Sequence, residues 1–86
     1  MPEQLIGKVT HYFGKARVAA IQLTDGELHV GDTIHVVGHT SDFTQKIDSM
    51  QIDRQPVPVA KVGDQIGVQV VDHAREHDQV YRVLPE

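Results

Sequence analysis

The sequence predicts an all-β fold, a small closed barrel of six or seven short strands, and three observations carry that prediction. Valine and isoleucine far outnumber leucine, and β-branched side chains favour a pleated, half-buried surface over a helix. Turn punctuation recurs: Val30-Gly31-Asp32-Thr33-Ile34 matches Val62-Gly63-Asp64-Gln65-Ile66, with a weaker third copy at His77-Asp78-Gln79-Val80. Apolar residues then follow at every second position, as in Leu28, Val30, Ile34 and Val36, which is the period of a strand. So many short strands on one chain favour closure, because a barrel leaves no exposed edge.

Leu5 to Phe13 reads as a first long strand, with Leu5, Val9 and Phe13 in one phase and Gly7 admitting the close approach of a neighbour. Gly14-Lys15-Ala16-Arg17 turns it back into Val18 to Leu23, where Ala19, Ile21 and Leu23 share a face. After the Asp25-Gly26 and Gly31-Asp32 turns, Thr33 to Val37 forms a third strand, and Gly38 to Asp42 is a polar loop. From Phe43 to Ile52 the apolar phase changes midway, Phe43 and Ile47 lying on odd positions and Met50 and Ile52 on even ones. A β-bulge near Asp48-Ser49 is the expected device. Gln55-Pro56-Val57-Pro58-Val59 is an extended crossing segment, since two prolines exclude a central strand. Gln65 to Val71 resumes with Ile66, Val68 and Val70 facing in. Asp72 to Asp78 is a polar connection, and Gln79 to Val83 closes the sheet.

Eighty-six residues make one domain, near the size at which one core suffices and roughly 60–65 % of the unfolded surface is buried. Cysteine is absent, so neither a disulfide nor a thiolate metal site can form. No apolar run approaches a bilayer span, and Met1-Pro2-Glu3-Gln4 lacks the pattern of a secretory signal. A cytoplasmic location without membrane contact is the expectation. The net charge of −4 repels polyanions at long range, so nucleic-acid binding would need a local basic patch. The basic residues fall in two groups along the chain, Lys8, Lys15 and Arg17, then Lys46, Arg54 and Lys61, with Tyr12 or Gln51 beside them.

Six histidines invite a metal reading. His73-Ala74-Arg75-Glu76-His77 spells the inverted zinc-protease motif, yet that motif needs a long helix to bring both imidazoles to one face, and this segment joins two strands. His35 and His39 lie across a strand end, where their spacing does not place them together. His39, Ser41 and Asp42 are the residue types of a hydrolytic triad, but neighbours in one loop seldom reach its geometry. Asp32 and Asp64 each follow a turn glycine, where a carboxylate accepts from nearby backbone N–H groups. At His77, histidine stands where the other copies have glycine, and it is among the less disfavoured residues at positive φ. The chain is therefore read as a binding module, not an enzyme, with no cofactor and no metal.

Taken in order, Ile6-Gly7-Lys8-Val9, Gly26-x-Leu28-x-Val30-Gly31-Asp32-x-Ile34, Asp48-Ser49-Met50-Gln51 and Ala60-x-x-Gly63-Asp64-x-Ile66-Gly67-Val68 resemble domain II of the translational GTPases. That domain is the β-barrel after the nucleotide-binding domain of elongation factor Tu and initiation factor 2, and the resemblance covers nearly the whole chain. It implies no GTP binding, because the phosphate-binding Gly-x-x-x-x-Gly-Lys-Ser/Thr loop belongs to the preceding domain and has no counterpart here. It also implies an adaptor that contacts ribosomal RNA, tRNA or a translation-related protein. In elongation factor Tu a Glu lies at the tRNA end where Gln51 aligns, and Gln hydrogen-bonds without charge. With the two basic groups read along the chain, the candidate nucleic-acid or partner contacts are Lys8, Lys15, Arg17, Lys46, Gln51, Arg54 and Lys61, of which the resemblance supplies Gln51. Similar barrels also serve as C-terminal accessory domains of collagenase-like peptidases, which makes a protein-interaction subunit of an enzyme the alternative.

Overall fold

A computed structural model describes residues 2–84 and contains no helix among them. Ten strands follow in order: β1 (Glu3–Phe13), β2 (Val18–Leu23), β3 (Glu27–His29), β4 (Thr33–Val37), β5 (Asp42–Lys46), β6 (Met50–Ile52), β7 (Gln55–Pro56), β8 (Val59–Lys61), β9 (Gln65–Gln69) and β10 (Gln79–Val83). Eight of them form one antiparallel sheet in the order β5-β4-β10-β1-β2-β9-β6-β7, and β3 pairs with β8 in a second, two-stranded sheet. The all-β prediction holds. Closure does not: the large sheet is a linear ladder ending at β5 and β7, and there are more strands than the six or seven expected.

Where β5 meets the free end of β9, a side chain stands in for a strand. The Gln45 amide donates to the Gln69 carbonyl at 3.0 Å, and its oxygen accepts from the Val71 N–H at 2.7 Å. One carboxamide thereby satisfies two backbone groups that would otherwise lack a partner on a sheet edge.

Strands of constant phase bury the residues their alternation selects: Ala19, Ile21 and Leu23 on β2, Ile34 and Val36 on β4, Ile66 and Val68 on β9. β1 departs from its predicted phase. Ile6 and Val9 are fully buried, whereas Leu5 is 42 % and Phe13 50 % exposed. Register shifts fall between Leu5 and Gly7 against β10 and between Val9 and His11 against β2. Each shift inverts the inward phase, so Ile6, then Val9, then Tyr12 face the core at three-residue steps.

Between Phe43 and Ile52 the change of phase is real, but it comes from a break and not from a bulge in one strand. β5 pairs with β4, β6 pairs with β9 and β7, and the intervening Ile47 exchanges backbone hydrogen bonds with Gly31 and Asp32 (2.9 and 2.8 Å). Changing partners frees the chain to expose its other face, so Ile47 and Met50 are both buried. The proline segment supplies only the short terminal strand β7 and the flanking β8, in keeping with proline's confinement to edges.

The recurring turn is one device used three times. Asp32, Asp64 and Asp78 each accept from the N–H three residues back, of His29, Lys61 and Arg75, at 2.9 Å. Their own N–H groups donate to the carbonyls of those same residues at 3.0–3.2 Å. The residue before each Asp has positive φ: Gly31 at 99°, Gly63 at 93° and His77 at 74°. Asp32 and Asp64 are turn carboxylates, as their sequence context implied.

Candidate functional site

The seven sequence-selected residues do not converge on one basic face. Arg17 and Lys46 line a groove of about 320 Å³ at the seam, together with Gln45, Asp48 and Gln69. Gln51 and Arg54 line a second groove of about 450 Å³ with Phe13, Val18, Ala20 and Gly67. Lys8, Lys15 and Lys61 line neither groove. The two groups read along the chain are therefore re-sorted, Arg17 joining Lys46. Asp48 and Asp53 stand among these cations and break up the positive field.

The two grooves adjoin. Phe13 pairs with Val18 and Val18 with Gln69, so the Val18–Gln69 rung lies between them. The second groove opens on the outer face of β2, β9 and β6, where Val18, Ala20 and Gly67 give an apolar floor. Outer faces of antiparallel sheets are ordinarily polar. Phe13, read from its spacing as sharing one phase with Leu5 and Val9, does not follow Val9 into the core and is the exposed wall of this groove. The β1 register shifts that turn it outward leave no mark in the sequence.

Two arginines at the grooves occupy unusual backbone. Arg54 and Asp53 have φ of 64° and 51° in the two-residue turn between β6 and β7, and Arg17 has φ of 56° in the β1–β2 loop. These positions favour glycine or asparagine. Among the described residues, no carboxylate lies within 4.0 Å of the charged groups of Arg17, Lys46 or Arg54.

The histidines are engaged elsewhere. His73 packs on the Tyr12 ring at 4.4 Å, and Glu76 meets His11 Nδ1 at 3.3 Å, in a segment that is not helical. No group of three or more His, Cys, Asp or Glu among the described residues is arranged to hold a metal ion. Asp42 contacts His35 and not His39, while Ser41 is buried and donates to the His73 carbonyl at 3.4 Å. His39, Ser41 and Asp42 thus do not assemble as a triad.

His35 on β4 lies between two carboxylates from neighbouring strands. Its Nε2 meets Asp42 Oδ1 at 2.5 Å and its Nδ1 meets Glu3 Oε2 at 2.9 Å, with Tyr81 of β10 beside the ring at 6.4 Å. Because the carboxylates sit on opposite ring nitrogens, they cannot share one chelated ion with it. The hydrogen bond to Asp42 is the largest influence and raises the His35 pKa above its usual value; burial opposes it, and the hydrogen bond and charge of Glu3 and the charge of Asp42 add to the rise. A raised folded-state pKa stabilises the fold fully below the unfolded pKa of about 6.5, and the gain is lost as pH rises through the folded value. We expect the melting temperature to decline across that window and the decline to flatten in His35→Gln. An equal slope in the variant would assign the pH dependence to other groups.

Fold and site together define a small antiparallel β module that carries grooves on its outer surface and, among the described residues, no cluster arranged to hold a metal ion. Its fold is that of the C-terminal domain of a Geobacillus thermoleovorans protein described as a U32 peptidase. The two superpose with a TM-score of 0.86 at 17 % identity, covering 94 % of this chain and 93 % of that one. In sequence the chain is 39 % identical over 77 residues to an uncharacterized protease of Methanocaldococcus jannaschii, covering 88 % of this chain and 19 % of that protein. It is 35 % identical over 78 residues to a collagenase of Porphyromonas gingivalis, covering 90 % of this chain and 22 % of the collagenase. The chain thus spans about a fifth of the length of these relatives. No family model matches it.

These findings overturn the resemblance to domain II of the translational GTPases, and with it the adaptor for ribosomal RNA or tRNA. They favour the collagenase-like alternative. The physical reason lies in the motifs. The Gly-Asp turns and the close-approach Gly7 are turn and strand chemistry that unrelated small β folds can share, so they report local geometry and not ancestry. No helix among the described residues is long and apolar enough to cross a membrane.

Proposed function

We propose that this chain is a non-catalytic, cytoplasmic docking module that works with the catalytic body of a collagenase-like U32 peptidase. The observation that carries the reading is the match itself. Nearly all of this chain aligns with about a fifth of a protease and of a collagenase, which leaves most of each relative outside the matched part. The site supports the same direction. A contiguous basic face would favour RNA, whereas an apolar patch with a polar rim favours a protein partner. The Phe13 groove is of the second kind, and the cations are interrupted by Asp48 and Asp53. The absence of cysteine accords with a reducing compartment.

Titrating the purified chain into the separately produced catalytic body of a collagenase-like peptidase from the same cell, by calorimetry, tests the reading. A saturable one-to-one complex is expected, and the chain alone should leave gelatin uncut. Cleavage by the chain alone, or no complex at tens of micromolar, would overturn it.

A further inference from the structure

The geometry points to the outer face of β2, β9 and β6, walled by Phe13 and flanked by Arg17 and Arg54, as the surface on which that catalytic body docks. The partner face sets single carboxylates against Arg17 and Arg54 and carries an apolar side chain that fills the groove over Gly67. This inference rests on the docking reading above and adds where the contact is made and what chemistry it selects.

Gly67 supplies the first argument. A Cβ built there would meet only Val18 Cγ1, at 3.4 Å, which is ordinary contact. Packing within the chain does not require a glycine at this position, and glycine weakens a strand interior. Gly7 is the contrast, because a Cβ there would run into the backbone of Gln22. What the missing side chain at Gly67 does is keep the floor of an outward groove open beside a half-exposed Phe13.

The arginines supply the second. Each sits at positive φ, where glycine or asparagine would be less strained, and an exposed side chain kept in such a conformation is a pointer to function. Arg54 lines the groove itself, and Arg17 immediately precedes Val18 of its floor. Among the described residues neither has a carboxylate within 4.0 Å. In a chain of net charge −4, Asp53 shares the groove with Arg54 and Asp48 stands with Arg17, so these cations offer no continuous field to a polyanion but are placed to pair with single carboxylates on a protein face that also covers the apolar floor. Phenylalanine and arginine anchors within a rim of amides, here Gln51 and Gln65, match the make-up of interface centres.

The test combines affinity for the catalytic body with melting temperature, using variants whose folds are protected. In the double variant Arg17→Gly, Arg54→Gly, affinity should fall by about tenfold or more and lose most of its salt dependence. Its melting temperature should stay unchanged or rise, because glycine suits both backbone positions. Gly67→Val should weaken binding to a similar degree while the strand, which favours a β-branched residue, remains folded. Lys8→Ala, whose side chain lines neither groove, should bind as the unaltered chain does. If the unaltered chain binds and all these variants bind within about twofold of it, the face is wrong and the docking reading survives. If the unaltered chain does not bind, the docking reading fails and this surface with it.

Discussion

Gly7→Ala is expected to destabilise the domain by about 2–3 kcal/mol, through overpacking against a partner that cannot move aside. The new methyl group would collide with the carbonyl oxygen of Gln22, and it would lie 3.2 Å from the Gln22 carbonyl carbon and 3.3 Å from Leu23 Cα. All three are backbone atoms of β2. Relief would require β1 and β2 to separate at the Gly7–Leu23 rung, next to the register shift between Leu5 and Gly7. Those two strands form the centre of the large sheet. For a chain of this length total stability is about 4–13 kcal/mol, and the loss corresponds to a fall in melting temperature on the order of 10–20 °C. Gly67→Ala is the matched control, since its methyl group meets only a side-chain carbon and should change stability by less than about 0.5 kcal/mol. Thermal melts followed by circular dichroism decide the matter. A Gly7→Ala protein melting within a few degrees of the unaltered chain would falsify the close approach of β1 to β2.

Gly7 also shows what a sequence can and cannot reveal about this fold. A glycine inside an otherwise apolar strand signals close approach without naming the neighbour, and Gln22 emerges only from the pairing. The three Asp turns were legible because their requirements are local: one residue at positive φ, and a carboxylate within reach of an N–H three residues back. β2, β4 and β9 were legible because each keeps one phase against its neighbours. β1 was not, since its two register shifts are set by β10 on one side and β2 on the other. That failure hid Phe13, read in one phase with Val9 but found on the surface while Val9 is buried, and Phe13 is the wall of the candidate groove. Arg17 and Lys46, far apart in the chain, likewise meet only because the sheet curls until Gln45 reaches β9. Function was misread for a related reason. The motifs that suggested a translation factor are answers to the geometry of a curled sheet, and similar geometries recur on proteins with different tasks.

Leu28→Ala should cost about 3–5 kcal/mol, the range for removing a fully buried leucine from a site that cannot collapse. Leu28 is fully buried, and its rung partner Ala60 is buried but too small to close the resulting space. Around it the small sheet has only the rungs Glu27–Lys61, Leu28–Ala60 and His29–Val59. Its further ties to the large sheet include the Arg82 Nη1 bond to the Glu27 carbonyl at 3.2 Å. A cavity beneath so short a ladder can be relieved by lifting β3 and β8 away from the core, a motion the longer β1–β2 pairing does not permit. The variant is therefore expected to lose amide exchange protection in β3 and β8 before β1 and β2, and to unfold globally at lower urea. Leu28→Met, which nearly conserves volume, should cost less than about 1.5 kcal/mol. Equal loss of protection in every strand would make the two-stranded sheet an integral part of the core's cooperative unit. A cost below about 1 kcal/mol would mean that the site collapses around alanine, and that the Gly31-Asp32 and Gly63-Asp64 turns suffice to hold the small sheet in place.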